Sequence, residues 1–497
     1  MKKTVKIFVF AAFILVAGII FTACGGKSND KSTEGTNKPD PNGEESAAMA
    51  EDLTPYLPVI DFGGYEFTIL CVNDTVVVEM DQEKAEVVND ARYYRNRLIE
   101  EKYNIILKTV ADIPDVHNDD IYNKIRQANA AGDYIYDIAF PNMLSAGKLA
   151  LDNQLVNIKD IPHMDLTKPW WTPSAVAQLS LASKLYFTPA DIHTGSIERL
   201  NVTLFSKTLV ERHELENLYE TVNSGKWTFD KLYDMCKAVT LDLDGDGKIQ
   251  GFNDQYGITT FLGHGVYWGW LTGANEVIVG KDGDDYPEIK MGTQRFYDVY
   301  EKIRAFTHDY GFVANANSAW MQIGDRNDVG FAQIFTSDKA LFLMEVMECA
   351  ERFREMQTNF GIIPFPKYNE SQERYHTYSA WSTALFLVPA SNTELERTGI
   401  ISEALAAESS RTVMPAYIDV ALGSKYLRDE ESRPMVDLIL NTRMYDLAYI
   451  YNWGDIGNLV NQALIGNKKD IVSIYEKNEA KVKSAIEKSI EKINDLD

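Results

Sequence analysis

The stretch Asp242-Leu-Asp-Gly-Asp-Gly-Lys-Ile-Gln250 has the spacing in this chain that most directly implies chemistry. Carboxylates at positions 1, 3 and 5 and a glycine at position 6 match the opening of a calcium loop. In such a loop oxygen ligands alternate along the turn and the glycine permits the sharp bend. Asp242, Asp244 and Asp246 would be those ligands, with the Lys248 carbonyl next. The loop should close with a bidentate Glu at position 12, but Asn253 stands there and Asp254 follows. The last ligand is therefore displaced to Asp254, or the stretch is an acidic turn that holds no ion; both readings stay open. A bound ion would pin a surface loop. This structural calcium is the only cofactor the sequence suggests, and none is required.

Other residue types point away from catalysis. The 7 histidines are scattered, and His213-Glu214 lacks the second histidine of a zinc-protease helix. No nucleophile elbow, phosphate-binding loop or dinucleotide fingerprint occurs. A glycosidase's pair of carboxylates would be invisible among 73 acidic residues, but the expectation is a protein that is not an enzyme. The aromatic clusters are more informative. Trp170 and Trp171 follow Pro169. Tyr267, Trp268 and Trp270 sit in a glycine-flanked run, Trp381 begins an apolar run, and Tyr449, Tyr451 and Trp453 lie close together. Flat rings beside a few hydrogen-bonding groups suit a ligand with an apolar face and a hydroxyl rim. Core packing explains any one tryptophan as well, and Trp227 is assigned to it.

The 497 residues exceed what a single hydrophobic core usually serves, so two lobes are expected. With 22 Phe, 26 Tyr and 8 Trp the chain can build sizeable cores. The net charge of -24 argues against a nucleic-acid partner, which would require a basic face. Of 4 cysteines, Cys71, Cys236 and Cys349 lie in apolar runs and read as small buried hydrophobes.

The first residues are an address. Lys2, Lys3 and Lys6 precede an apolar run from Val5 to Ala23, a secretory signal pattern. Ile20-Phe21-Thr22-Ala23-Cys24 resembles a bacterial lipobox, with Phe21 where Leu is usual. That resemblance implies cleavage before Cys24 and a diacylglycerol on its sulfur. Gly25–Asp52 is rich in Gly, Ser, Asn, Pro and charge and reads as a tether. A plain membrane-spanning helix is the alternative for the apolar run.

The body alternates strand and helix signals. Strands are expected at Glu66–Val72, Ile105–Val110, Tyr136–Phe140, Lys184–Phe187, Asn201–Ser206, Ala340–Val346, Gly361–Pro364 and Ala384–Val388. Helices are expected at Ala85–Lys102, with Val87, Ala91, Tyr94 and Leu98 on its apolar face, at Asp119–Ala131 and at Phe229–Ala238, capped by Thr228. The end reads as an amphipathic helix with Val482, Ile486, Ile490 and Ile493 on one stripe. The β-α-β-α-β opening predicts a mostly parallel sheet covered by helices.

Several segments, in order, resemble the extracellular solute-binding protein family 1, the maltose-binding-protein-like sugar receptors of ABC importers. The densest runs from Asn217 to Ile258, with Trp227-Thr228-Phe229-Asp230 and Asp254-Gln255-Tyr256-Gly257 at the family's characteristic places. Gly132–Phe140, Lys168–Phe187, Val202–Leu209, Ser337–Val346, Gly361–Tyr368 and Met414–Leu422 continue the match. The resemblance implies the α/β type II periplasmic-binding-protein fold, two α/β lobes joined by hinge segments that close on a ligand. The expected divisions are a signal peptide at 1–23, the lipidated Cys24 and linker at 24–55, lobe 1 at 56–190 and 356–408, and lobe 2 at 191–355 and 409–497, with crossings near 190–200, 350–360 and 406–415. It further implies a lipid-anchored receptor on the extracytoplasmic face of the cell membrane. That receptor would be a monomer with a saccharide ligand, ABC permease subunits as partners, and no membrane contact beyond its anchor. Ligand contacts are then expected from Trp170, Trp171, Trp268, Trp270, Trp381, Tyr451 and Trp453. Asn142 joins them because it follows the 136–140 strand and ligands bind beyond strand carboxyl ends. Asp191 and Arg199 join them because they lie near the first crossing, where an ordinary hinge ion pair explains them as well.

Overall fold

The computed structural model describes residues 55–72, 76, 87–111, 119–318, 328–353, 359–422 and 430–494. The signal segment, Cys24 and most of the linker lie outside the described residues. Among the described residues twelve strands occur: β1 (Tyr65–Cys71), β2 (Ile105–Val110), β3 (Ile138–Phe140), β4 (Asn201–Ser206), β5 (Tyr256–Thr260), β6 (Val279–Lys281), β7 (Pro287–Ile289), β8 (Val313–Asn315), β9 (Ala340–Val346), β10 (Phe360–Ile363), β11 (Thr377–Tyr378) and β12 (Arg443–Met444).

The first sheet has the order β2-β1-β3 and is parallel throughout, with Tyr65 opposite Ile105 and Ile69 opposite Ile138. Its crossovers are the helices Val87–Tyr103 and Asp120–Ala131, as the alternation predicts. The second sheet has the order β10-β4-β9-β5-β8. Here β5, β8 and β9 are parallel, while β4 runs antiparallel to both β9 and β10. Val202 and Leu204 of β4 enter one buried cluster and Phe205 the other, so the strand is covered on both faces. Cys71, Cys236 and Cys349 are all buried, as their apolar surroundings predict.

The chain passes from the first sheet to β4 at Arg199–Leu200, where Leu200 bridges Ser379. The return to the first sheet comes at 384–389, which makes single bridges from Phe386 to Thr188, from Leu387 to Ala139 and from Pro389 to Leu155. This is later than the expected crossing near 350–360. Phe360–Ile363 still pairs with Thr203–Ser206, because an apolar run reads alike in either sheet and only its partner decides. The Lys184–Phe187 and Ala384–Val388 runs form isolated bridges rather than full strands. The helix Leu395–Arg411 then packs on Val87–Tyr103, and Val413–Leu422 packs on both Val87–Tyr103 and Glu348–Arg352. Among the described residues no helix is long and apolar enough to cross a membrane.

The helix Val87–Tyr103 departs from its expected face. Tyr94 and Leu98 are exposed, and Arg95, Asn96, Ile99 and Tyr103 are buried. Arg95 is 1% exposed and donates to the carbonyls of Val76 (2.6 Å) and Ile192 (3.0 Å), to Ser409 Oγ (2.9 Å) and to Asn96 Oδ1. Burial pulls its pKa down to about 9, with Arg92 adding to the effect. A guanidinium with all its N–H groups satisfied can be buried where a periodicity argument places only apolar side chains. Arg95→Ala strands several of these acceptors and should destabilise the fold by about 3 kcal/mol. Chemical denaturation followed by circular dichroism measures this, and an unchanged midpoint would refute the assignment.

Candidate ligand-binding site

The carboxyl ends of strands from both sheets converge on one stretch of chain. β3 ends at Phe140, and Asn142 caps the next helix, its Oδ1 accepting from the Ser145 N–H at 2.9 Å. The N–H of Met143 donates to the Trp381 carbonyl (3.1 Å), and that of Ala380 to the Arg199 carbonyl (2.8 Å). In the second sheet β9 ends at Val346, and the N–H of Met347 donates to the Leu200 carbonyl (2.8 Å). Beyond it, Glu348 pairs with Arg199 at 2.6 Å, both side chains remaining about a quarter exposed. β5 ends at Thr260. Its following loop is held by Asn315 at the end of β8, which accepts from the Leu262 N–H (3.3 Å), and by Asn317, which donates to the Leu262 carbonyl (2.8 Å). Asn142, Trp381, Arg199 and Glu348 thus stand along one hydrogen-bonded path between the sheets. Trp381 is the one expected tryptophan contact that stays partly exposed.

The other expected rings are core residues. Trp170 and Trp171 are fully buried and donate to the two carboxylate oxygens of Glu403, at 3.0 and 2.6 Å. Trp268 and Trp270 lie in the helix His264–Gly273 rather than in a loop, each 1% exposed. Trp268 stacks on Tyr378 with centroids 6.0 Å apart, and Trp270 meets Phe229 at 5.1 Å and Phe306 at 5.0 Å. The glycines of that stretch, Gly265, Gly269 and Gly273, recur every four residues and share one helix face. A methyl at Gly269 would stand 2.8 Å from the Phe365 ring, and one at Gly273 would stand 2.9 Å from the Pro366 carbonyl. Gly269 and Gly273 therefore read as loop signals but serve close packing. Tyr451 stacks on Trp453 at 4.7 Å, both are buried, and Trp453 donates to Ser489. A buried indole N–H needs an acceptor: Trp170, Trp171 and Trp453 find theirs inside the protein, whereas the Trp270 Nε1 has none among the described residues.

Asp191 sits at the first crossing but is turned inward. Burial raises its pKa to about 6, against the opposing pull of Arg443 and a hydrogen bond from Ser410. Arg199 is found where expected, paired with Glu348. The sequence reading missed Glu348 and Asn315; the rule that ligands lie beyond strand carboxyl ends reaches Glu348 from β9, which was placed, and would have reached Asn315 had β8 been placed as well.

In the acidic turn, one carboxylate oxygen from each of Asp242, Asp244 and Asp246 lies within 4.8 Å of the other two. Asp242 accepts from the N–H groups of Gly245 and Gly247, Asp244 from Asp246, and Asp246 from Lys248. Asp254 does not join them. It is fully buried and accepts from the N–H groups of Leu243 (2.9 Å) and Gln250 (2.8 Å), closing the base of the loop. The loop is thus shaped by hydrogen bonds to its own backbone.

No family model matches the sequence, and no curated protein does. Solved structures do. UgpB from Mycobacterium tuberculosis in complex with glycerophosphocholine aligns with a TM-score of 0.56 at 14% identity, covering 86% of this chain and 99% of that one. The cyclo/maltodextrin-binding protein complexed with maltotetraose aligns with a TM-score of 0.53 at 14% identity, covering 87% and 98%. The maltose/maltodextrin-binding domain MalE from Bdellovibrio bacteriovorus bound to maltotriose gives 0.51 at 12%, covering 86% and 99%. The chain has the type II periplasmic-binding-protein fold, with two α/β lobes and hinge segments between them.

Glu403 also accepts from the Asp165 N–H (3.2 Å), and burial raises its pKa from 4.5 to about 7 against the pull of its three donors. Burial likewise raises Asp446 and Asp191 to about 6. Each folded pKa lies above the unfolded one, so the stability these groups contribute is complete below about pH 4 and lost as pH rises through 6 to 7. Calorimetric melting temperatures should therefore fall between pH 5 and pH 8, and the fall should be shallower in Glu403→Gln. A melting temperature that rises over this interval would contradict the assignment.

Proposed function

We propose that this protein is the extracytoplasmic substrate-binding lipoprotein of an ABC importer, capturing a carbohydrate between its lobes and delivering it to the permease. The observation that carries the reading is the convergence of strand carboxyl ends from both sheets on Trp381, Asn142, Arg199 and Glu348. A partly exposed indole offers a face for a pyranose ring. The Arg199–Glu348 pair and Asn142 offer donors and acceptors for its hydroxyl rim. The crossing segments allow the lobes to close over the solute. The likeness to solved sugar- and polyol-binding proteins supports the same role. Binding without chemistry fits the site, where the close charged pair found among the described residues, Arg199 with Glu348, is an ion pair rather than two poised carboxylates.

Isothermal titration calorimetry and thermal shift against a saccharide panel test this reading. A bound solute should raise the melting temperature by mass action. Trp381→Ala should weaken binding about tenfold or more with little loss of stability, because its ring is not part of the closed core. A panel in which a saccharide is hydrolysed, or in which nothing binds, would overturn the reading.

Membrane attachment through a diacylglycerol on Cys24 completes the proposal. It is supported by the apolar leader, the small residues before Cys24 and the polar tether after it. Expressed in a bacterium with its leader, the wild type should fractionate with membranes and carry lipid detectable by mass spectrometry. Cys24→Ala should fail to acquire that lipid. A lipid-free wild-type Cys24 would remove the anchor.

A further inference from the structure

Asn201, the first residue of β4, is 1% exposed, and neither its Nδ2 nor its Oδ1 has a hydrogen-bond partner among the described residues. It faces the glycine stripe of the helix His264–Gly273: a methyl at Gly269 would stand 3.1 Å from its Nδ2. One turn toward the start of that helix, Gly265 lies on the same face, and a methyl added there would meet nothing within 4 Å. The helix opens on Gly263, which has no side chain with which to cap its first N–H groups. These features stand at the end of the sheet where Arg199 precedes β4 and Phe261 follows β5.

An orphan amide, an open first turn and an unfilled space beside them are complementary to a ligand group bearing oxygen. The amide decides which kind. It offers both a donor and an acceptor, and a hydroxyl both accepts and donates. A carboxylate or phosphate could take the Nδ2 hydrogens and the helix N–H groups, but it would leave the buried Oδ1 unpaired against its own oxygens. That loss outweighs the attraction of a single helix terminus for an anion.

We infer that Asn201 and the first turn of the helix His264–Gly273 form a specificity subsite for a neutral hydroxyl group, selecting uncharged polyols over their phosphorylated or carboxylated forms. The inference rests on the receptor reading above. Calorimetry on the full chain with glucose, maltotriose, ribitol, glucose 6-phosphate and glucuronate tests it. The wild type should bind a neutral probe at least tenfold more tightly than the charged ones. Asn201→Leu, which keeps the volume and removes both polar atoms, and Gly265→Leu, which fills the space, should each weaken that binding tenfold or more. The melting temperature of Asn201→Leu should hold or rise, since it buries no orphan group. Asn201→Ala and Gly265→Ala provide smaller versions of the same changes. Wild-type affinity in all four variants, or tighter binding of a charged probe, would overturn the subsite while leaving the receptor reading intact. No binding of any probe by the wild type would overturn both.

Discussion

Three backbone hydrogen bonds hold the candidate site together: Met143 N–H to the Trp381 carbonyl, Ala380 N–H to the Arg199 carbonyl, and Met347 N–H to the Leu200 carbonyl. They join the end of β3 to the end of β9 through two strips of chain that belong fully to neither sheet. Main-chain bonds do the positioning, so the side chains of Asn142, Trp381, Arg199 and Glu348 are presented at the strand ends without having to hold the chain in place. The same arrangement locates the least costly place to bend. Both main sheets are continuously paired, whereas β11 and β12, which lie at this passage, pair over only two residues. A rotation concentrated there breaks few ladder bonds.

Away from that passage, polar groups lock the lobes internally. Glu403 holds two indoles and a backbone N–H, Asp446 accepts from Ile278, Val279 and Ala448, and Arg95 gathers carbonyls from distant segments. Each is a buried charge or near-charge made tolerable by several hydrogen bonds, and the two acids register the burial as raised pKa values. Such groups fix which segments meet more narrowly than apolar contact can, and they keep most tryptophans from solvent. The aromatic wealth of the chain is therefore mainly a feature of its core, with Trp381 the tryptophan of the candidate site that stays partly exposed.

Much of the architecture was legible from local pattern. β2, β4 and β9 fall on the expected residues, the Thr228 cap is made to the Lys231 N–H at 3.3 Å, and the last helix buries Val482, Ile486 and Ile493 on the anticipated stripe. The misreadings have physical causes. The outer face of Val87–Tyr103 carries Tyr94 and Leu98, while its inner face carries an arginine and an asparagine whose partners are up to 314 residues away. The glycines around Trp268 lower helix propensity, yet they permit the close approach of Phe365 and Pro366 that stabilises the helix in place.

The sequence by itself determined the alternation of strands and helices, the two-sheet organisation and the positions of Asn142 beyond β3 and of Arg199 just before β4. Those features depend on periodicity, turn chemistry and order along the chain, which are local. Only the tertiary structure decided which rings face a ligand, that Phe360–Ile363 joins the second sheet, and that Glu348 meets Arg199. These depend on pairing between segments far apart in sequence, where a residue's burial is set by what folds over it rather than by its neighbours in the chain.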